Sequence, residues 1–235
     1  FISKINTAYR TPNINDLSSF GSFDYGIEVP NNNLDPEQSL NLEIGIKTKS
    51  KLFSGSIFAY RNKLYNLIDR IRSTYNGDST YQDENVYTKS NVGEAYIQGI
   101  EAELTFYLSK TFSVYSNLNY TYGQNISKNE PMRRIPPLNG NFSLKYNKNL
   151  LNISLVYLFA LKQDRLSSGD IDDHRIQDGG TPGWNVFNIY SSYRIKSFLV
   201  SAGLLNIFNE AYRVHGSGID GIGRSIFIGL KYQLK

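Results

Sequence analysis

The sequence contains no cysteine, one methionine, one tryptophan and two histidines among its 235 residues. Without cysteine the chain can form neither a disulfide framework nor a thiolate metal site. The two histidines, His174 and His215, lie far apart in the sequence and do not form a zinc-ligand cluster. These absences exclude small disulfide-rich domains and the common structural metal domains, and we expect no cofactor.

Long apolar runs and dense charge clusters are also missing. No stretch of about 18 apolar residues occurs, so the sequence predicts no transmembrane helix. The net charge is only +4, and no basic segment is dense enough to predict a nucleic-acid partner. The mean hydropathy of −0.39 suits a soluble protein. A membrane β-barrel gives a similar average, because its inner face is polar and its lipid face is apolar.

Aromatic residues and glycine are abundant, with 18 tyrosines, 13 phenylalanines and 19 glycines. Apolar and polar residues alternate in many segments, which indicates strands with two different faces. In the last segment, 224–235, one face carries a set of large apolar residues, which are Ile226, Ile228, Leu230, Tyr232 and Leu234. The sequence therefore predicts a β protein in which one face of each strand is apolar.

The alternation predicts nine complete strands and a strand end at Phe1–Ile5. The strands cover residues 40–47, 52–68, 100–108, 112–122, 142–146, 151–161, 184–195, 198–207 and 224–235. Short turns are predicted near residues 50, 110, 148 and 196, and long loops at 6–38, 73–93, 123–137 and 162–183. Short turns on one rim and long loops on the other are typical of an outer-membrane barrel. We therefore predict an all-β, antiparallel transmembrane β-barrel, because a soluble β-sandwich rarely needs strands of about 11 residues.

Six segments in order resemble the C-terminal barrel of TonB-dependent outer-membrane receptors. They are Tyr9-Arg10-Thr11-Pro12; Asn33-Leu34-Asp35-Pro36-Glu37; Asn91-Val92-Gly93-Glu94-Ala95 with Gly99-Ile100-Glu101; Arg134-Ile135-Pro136-Pro137; Asn206-Ile207-Phe208-Asn209 through Tyr212-Arg213; and Gly223-Arg224-Ser225. Each segment alone is a weak signal, but six in the right order span nearly the whole chain. The resemblance assigns residues 1–235 to one domain, the C-terminal part of that barrel.

The resemblance implies a barrel of about 22 strands whose lumen is filled by an N-terminal plug domain. This chain supplies about ten strands with short periplasmic turns and long extracellular loops, and no plug. We therefore expect the plug and the remaining strands to lie upstream of Phe1 or in a separate chain, since open sheet edges are unfavourable in lipid. Leu234 stands where such barrels commonly end in an aromatic residue, so we question whether Lys235 is the natural end.

The implied function is uptake of a scarce ligand across the outer membrane of a Gram-negative bacterium. The implied partners are outer-membrane lipid, the plug and missing strands, the inner-membrane TonB complex through the missing N-terminal part, and a small-molecule ligand. A ferric siderophore is the first expectation, ahead of cobalamin and haem. The haem boxes of some members match only in part, because no histidine lies between Pro12 and Leu34 and Tyr25 would have to replace it. SusC-like glycan importers rank lower, because their endings differ.

Candidate residues fall into two groups. Anionic ferric chelates favour arginine and aromatic groups on the long loops and upper lumen. The ligand-binding candidates are Arg133, Arg134, Arg165, His174, Arg175, Trp184, Tyr212 and His215. Trp184 also fits an interfacial anchor, which is the better interpretation from sequence. Residues of the family motifs are expected to build the barrel, and they are Tyr9, Arg10, Pro12, Pro36, Glu37, Gly99, Glu101, Asn206, Phe208, Tyr212, Arg213, Gly223 and Arg224.

Two other function classes fit the sequence. Asp172-Asp173-His174 on a long loop resembles the Asp and His pairs of ten-stranded outer-membrane proteases, in which Asp orients a His that activates water. A second acidic pair is not evident, and sequential Asp-Asp-His is common in polar loops. A passive porin rests on fold analogy alone. A transporter is therefore the expected class, and no enzymatic activity is expected.

Overall fold

The computed structural model describes residues 1–23 and 25–233, which form one extended sheet with two short helices. The helices are α1 (Ile14–Ser18) and α2 (Ser168–Ile171). The strands are β1 (Ile2–Arg10), β2 (Gly21–Phe23), β3 (Gly26–Val29), β4 (Glu37–Lys49), β5 (Phe53–Arg72), β6 (Thr80–Tyr81), β7 (Glu84–Tyr107), β8 (Phe112–Asn125), β9 (Glu130–Pro131), β10 (Asn139–Lys148), β11 (Leu151–Ala160), β12 (Trp184–Ile195), β13 (Phe198–Leu205) and β14 (Ser225–Tyr232).

The main strands pair antiparallel in chain order, β1-β4-β5-β7-β8-β10-β11-β12-β13-β14. This path has the ten strands expected from the sequence. The four short strands β2, β3, β6 and β9 lie off the path, and β3 pairs parallel with β7. The prediction of an all-β, antiparallel barrel segment is confirmed.

Short turns and long loops lie at opposite ends of the strands, as predicted. Ser50 and Ser109 close two of the turns, because each hydroxyl accepts hydrogen bonds from backbone N–H groups within the next three residues. Asn149 and Lys196 make the other two possible with positive φ values of 54° and 53°. We call this end of the sheet the short-turn end and the opposite end the long-loop end.

The register of the strands separates an outward face from an inward face. Ile44 pairs with Ala59, Ala59 with Ile100, and Ile100 with Tyr120, all on the apolar outward face. Outward side chains remain open, for example Ile226 and Ile228, which are 75% and 79% exposed. A soluble protein would bury such a continuous apolar surface, whereas a barrel wall presents it to lipid.

The inward face is lined in places by aromatic rings that lie over glycines of the neighbouring strand. A Cβ atom at Gly45 would lie 2.2 Å from the Phe58 ring, and one at Gly203 would lie 2.1 Å from the Phe227 ring. At Gly99 a Cβ would lie 2.3 Å from the carbonyl oxygen of Tyr120 and 2.7 Å from the Tyr60 hydroxyl. Only glycine allows these approaches, and the Gly99 pairing contains no bulge.

The largest departures from the predicted strands occur at the long-loop end. The predicted loop 6–38 contains the second half of β1 together with α1, β2 and β3, and the predicted loop 73–93 contains β6 and the start of β7. These polar segments do not alternate, but their backbone groups pair with β4, β5 and β7, which sequence periodicity does not report. The loop at 162–183 contains α2, because Ser167 and Asp170 form a capping box.

A small apolar core lies in the long-loop region. Ile27, Val29 and Val86 are buried there and pack against Tyr75 and Tyr81. The β2–β3 hairpin is thereby fixed to β7 at this end of the sheet.

In the part of the chain that the structure describes, no helix has the length and apolar character needed to cross a membrane.

The last strand ends at Tyr232. The predicted continuation through Leu234 and Lys235 lies outside the described residues.

Candidate functional site

Three arginines from two long loops surround the carboxylate of Asp173. Arg133 and Arg134 each donate from Nη2 to Asp173 Oδ2 at 3.1 Å. Arg175 holds both oxygens, with Nε 2.7 Å from Oδ1 and Nη2 2.6 Å from Oδ2. The Asp173 side chain is only 3% exposed. We call Arg133, Arg134, Arg175 and Asp173 the arginine cluster.

Helix α2 places Asp170 beneath the arginine cluster. Its Oδ2 accepts from the Ser167 hydroxyl at 2.9 Å, and its Oδ1 accepts from the backbone N–H of Arg134 at 3.0 Å. The latter bond supports Arg134 in a left-handed conformation, with φ of 57°, which is uncommon for a long side chain. Strained conformations of this kind persist only where the surroundings hold them, and they concentrate at functional sites.

The arginine cluster carries a positive charge with open faces. Three guanidinium groups surround two buried carboxylates, Asp170 and Asp173, so these five groups sum to +1. The side chains of Arg133 and Arg134 are 52% and 46% exposed. Guanidinium groups bind carboxylates and phosphates through paired hydrogen bonds. The cluster can therefore bind an anion on its outer side while Asp173 keeps the arginines together.

The loop 206–224 packs over the arginine cluster and carries His215. Gly216 lies beside the Arg134 side chain and Gly218 beside that of Arg175. His215 Nδ1 lies 2.8 Å from the Thr181 hydroxyl. Its Nε2 is buried and has no hydrogen-bond partner among residues 1–23 and 25–233.

Burial lowers the pKa of His215 below its ordinary value of 6.5. The carboxylates of Asp170 and Asp173 raise this pKa, and Arg134 lowers it further, but the burial effect is the largest. The imidazole is therefore neutral at neutral pH, and protonating it opposes the packing of this loop.

A prediction follows for the pH dependence of stability. Below pH 6.5 the unfolded chain binds a proton at His215 more readily than the folded chain, so stability falls as the pH decreases through this range. His215→Gln should reduce this loss between pH 7.5 and 5.5, measured by thermal unfolding in detergent. The other histidine, His174, is exposed, and His174→Gln is the matched histidine-to-glutamine control. Equal pH profiles for wild type and His215→Gln would contradict the prediction.

A cavity of about 320 Å³ lies on the inward side of these loops. Its loop side is formed by His215, Thr181, Trp184 and the Pro136–Pro137 pair, and its floor mainly by inward residues of β8, β10 and β11, with the outward Gly140 and Phe159. Trp184 therefore lines an interior space, and the interpretation of this residue as a lipid-interface anchor does not fit its position.

The ring of Tyr212 is held by packing. Its centroid is 4.8 Å from that of Trp184. A Cβ atom at Gly221 would lie 2.1 Å from the Tyr212 ring, so the ring covers this glycine. Arg213 beside it donates to Asp220 at 2.6 Å, and this hydrogen bond lowers the pKa of the Asp220 carboxyl. Tyr212 and Arg213 thus shape the loop 206–224.

Two predicted ligand-binding residues lie apart from the arginine cluster, the cavity and the loop 206–224. His174 is exposed on the loop surface. Arg165 donates to the backbone carbonyl of Gly123 at 2.6 Å and stacks 3.9 Å from the centroid of the Tyr122 ring. Asp173, which sequence reasoning considered only as part of an Asp-Asp-His group, instead centres the cluster. Asp170 was also missed, although the Ser167-x-x-Asp170 spacing is a readable capping signal.

Both carboxylates of the Asp172-Asp173-His174 segment are engaged by residues outside it. Asp173 is held by three arginines, while Asp172 accepts a hydrogen bond from the Tyr25 hydroxyl at 2.8 Å. Within the described residues, the hydrogen bonds of these two carboxylates therefore go to arginine and tyrosine groups and not to His174.

The first two family motifs meet at the long-loop end of β1 and β4. Arg10 donates to Glu37 at 2.5 Å and to Asp16 at 2.7 Å, and Glu37 also accepts from the backbone N–H of Ile68. These bonds tie β1, β4, β5 and α1 together. Pro12 and Pro36 are half-buried next to them, Tyr9 is exposed, and Glu101 is exposed on the inward face of β7.

The C-terminal motifs fix the start and end of the loop 206–224. Asn206 is buried, and its amide donates to the carbonyls of Glu210 and Ile222 at 2.8 and 2.9 Å. Asn209 Oδ1 accepts from the backbone N–H of Arg224 at 2.9 Å, close to Gly223. Phe208 packs edge-on against Phe187, which faces outward.

Comparison with known families gives one match across most of the chain. The profile described as "TonB dependent receptor-like, beta-barrel" matches residues 2–209. Among curated proteins, the chain is 26% identical over 241 residues to the vitamin B12 transporter BtuB of Vibrio vulnificus, which covers 99% of this chain and 35% of the relative. It is also 26% identical over 214 residues to BtuB of Photobacterium profundum, covering 88% of this chain and 31% of that protein. The chain thus spans about a third of the length of these relatives.

Solved structures share the fold at low sequence identity. A ferric enterobactin receptor (PfeA) mutant from Pseudomonas aeruginosa, in complex with enterobactin, aligns with a TM-score of 0.77 and 22% identity, covering 97% of this chain and 37% of that one. The copper transporter OprC aligns with a TM-score of 0.76 and 19% identity, covering 98% and 36%. The FrpB iron transporter from Neisseria meningitidis has a TM-score of 0.71 and 15% identity, covering 98% and 36%.

Proposed function

Because the chain belongs to the TonB-dependent receptor-like β-barrel family, we propose that it forms part of an outer-membrane receptor that imports a scarce ligand, with a ferric siderophore as the first candidate. The family consists of transporters and receptors. The proposal places the chain in the outer membrane of a Gram-negative bacterium, in contact with lipid. Energy for uptake would come from the inner-membrane TonB complex, and a plug domain would occupy the lumen.

The proposed ligand class, an anionic ferric chelate, is inferred from the arginine cluster. It lies at the long-loop end, and in the proposed receptor the long loops face the outside of the cell. The side chains of its two more exposed arginines, Arg133 and Arg134, are about half open to solvent. Ferric siderophores are commonly anionic chelates, and guanidinium groups bind anionic oxygens through charge-assisted hydrogen bonds. Asp173 holds the arginines in place before a ligand arrives, which lowers the entropic cost of binding.

Cobalamin is the second candidate, because the curated relatives named above are vitamin B12 transporters that align with nearly the whole chain. The arginine cluster distinguishes the two classes. Binding of an anionic chelate depends directly on the guanidinium charges, whereas binding of a largely uncharged ligand depends more on shape and apolar contacts. Haem is the third candidate ligand for this chain. The alternative function, a passive pore, would be recognised by ion conductance that does not depend on a ligand.

The test compares a double variant, Arg133→Gln with Arg175→Gln, with the natural full-length protein. Binding of a ferric tris-catecholate, a ferric hydroxamate and cyanocobalamin is titrated in detergent. We expect the affinity for an anionic ferric chelate to fall at least tenfold, since each charge-assisted hydrogen bond contributes about 1.5–3 kcal/mol.

A matched control removes two positive charges elsewhere at the long-loop end, with Lys128→Gln and Lys162→Gln. Both lysines form ion pairs outside the arginine cluster, with Asp69 and Asp164. This control should bind the ligand as tightly as wild type. Tight cyanocobalamin binding that is insensitive to the arginine variant would favour the second candidate, and binding of none of the three probes would count against both.

A further inference from the structure

The outward face of β5, β7 and β8 changes from apolar to polar at one level near the long-loop end. The last mainly apolar row of paired outward residues is Ala59, Ile100 and Tyr120. The next outward row on the same strands is Arg61, Gln98 and Tyr122, and the one after it is Lys63, Tyr96 and Gln124. Aromatic residues at such a boundary are typical of the membrane–water interface. The basic residues therefore lie at the level of lipid headgroups if the barrel spans a membrane.

Two tyrosines link basic groups from different parts of the chain on this outward face. The Arg61 guanidinium lies 4.5 Å from the centroid of the Tyr96 ring. Tyr96 stacks on Tyr122 with centroids 6.1 Å apart and an interplanar angle of 26°. The Arg165 guanidinium lies 3.9 Å from the centroid of the Tyr122 ring. Cation–π contacts of this kind restrict the arginines without neutralising their charge.

The positive charge on this surface is not balanced by ion pairs. Within residues 1–23 and 25–233, Arg61 and Lys63 form no ion pair, and both are exposed. Arg165 directs two of its five N–H donors to the Gly123 carbonyl and the Gln124 side chain, and neither of these uncharged groups neutralises it. Glu94, the next outward residue of β7, is the nearest acidic group on that strand. Three cations and one carboxylate leave the surface with a net positive charge.

We propose that Arg61, Lys63 and Arg165 form a binding site for the phosphate of an outer-leaflet lipid headgroup. Arginine and lysine bind phosphate through charge-assisted hydrogen bonds. Basic clusters beside membrane-spanning segments attract anionic lipids. The stacked Tyr96 and Tyr122 hold the Arg61 and Arg165 guanidinium groups at this site through cation–π contacts. This site rests on the proposed membrane location, which is part of the proposed function.

The lipid is favoured over the transported ligand because of the direction of the side chains. Arg61 and Lys63 belong to the same face as Ala59 and Ile57, whereas the cavity beneath the candidate site is lined mainly by inward residues. A ligand that enters through the long loops toward the lumen would not reach this outward surface.

The experiment measures binding of diphosphoryl lipid A, and of the same lipid without its phosphates, to the natural full-length protein in detergent by native mass spectrometry. The test variant is Arg61→Gln with Lys63→Gln. The matched control is Lys49→Gln with Lys51→Gln, which removes two positive charges from the short-turn end of the same β4–β5 hairpin. Each basic residue near an anionic headgroup contributes about a factor of five, so the test variant should lose at least tenfold in affinity for diphosphoryl lipid A.

The control should bind diphosphoryl lipid A as wild type does, and dephosphorylated lipid A should bind both proteins weakly. Equal affinity of the test variant and wild type, or of the two lipids, would overturn the proposal. Displacement of the lipid by inorganic phosphate at comparable concentrations would assign the site to free phosphate and would also overturn it. Binding of a ferric chelate to the test variant is measured in parallel, and its retention separates loss of the lipid site from failure of the proposed function.

Discussion

Replacing Asp173 with alanine should open the arginine cluster to trypsin and abolish binding of anionic chelates. The variant leaves Arg133, Arg134 and Arg175 close together without the carboxylate that all three share. Breaking a fully buried ion pair costs about 3–5 kcal/mol. The arginines are partly exposed and water compensates some of the loss, so we expect roughly 2–3 kcal/mol of local stability to be lost. Trypsin cleavage after these arginines, followed by mass spectrometry, should accelerate more than tenfold.

The adjacent Asp172 provides a matched control for this experiment. Its carboxylate accepts one hydrogen bond, from the exposed Tyr25. Asp172→Ala should therefore change the cleavage rate after Arg133, Arg134 and Arg175 by only a small factor. Asp173→Asn retains the shape and one acceptor oxygen and should lie between the two. Wild-type protection in Asp173→Ala would show that the arginines are held by other contacts.

Asn206→Ala is expected to unfold the loop 206–224 from the end of the sheet. Asn206 is 1% exposed, and its side chain makes hydrogen bonds to the backbone of Glu210 and Ile222. Three backbone groups lose their partner at about 1 kcal/mol each. Asn206 also has a φ of 47°, which costs alanine about another 1 kcal/mol. A total of about 4 kcal/mol should appear as rapid hydrogen exchange at the amides of Glu210, Gly221 and Arg224.

Two further variants separate the causes of this loss. Asn206→Gly accepts the left-handed conformation without the hydrogen bonds, so it should be about 1 kcal/mol less destabilised than alanine. Asn209→Ala is the control, because Asn209 is also left-handed, with φ of 55°, but among the described residues its side chain makes only one hydrogen bond, to the Arg224 N–H. If the amides of Glu210 and Gly221 exchange hydrogen equally fast in Asn209→Ala and Asn206→Ala, the special role of Asn206 in holding the loop is wrong.

The strands with an apolar outward face could be predicted from sequence, and the long-loop end could not. The strand at 184–195 was predicted with the bounds that the structure shows for β12, because its residues alternate between an apolar outward face and a more polar inward face. The first part of β7 was predicted as a loop. Residues 84–93 do not alternate because both faces lie above the apolar band, and their strand geometry comes from pairing with β5 and β3.

The candidate site was predicted by residue type but not by arrangement. Arginine in long loops indicated an anion site, yet Arg133 and Arg175 belong to separate loops that meet only in the folded protein. No periodic pattern reports a contact between two loops. The central role of Asp173 was missed for the same reason, since its partners lie up to 40 positions away in the sequence.

The aromatic rings that lie over Gly45, Gly99 and Gly203 have a consequence for passage through the interior. A phenylalanine or tyrosine that stands upright on an inward strand position would project across the lumen and narrow it. Each ring instead lies sideways over a glycine. The wall therefore gains aromatic contact area while the inner diameter of the barrel is reduced only a little. Filling these glycines would therefore push the rings inward and reduce the clearance available to anything that moves along the wall.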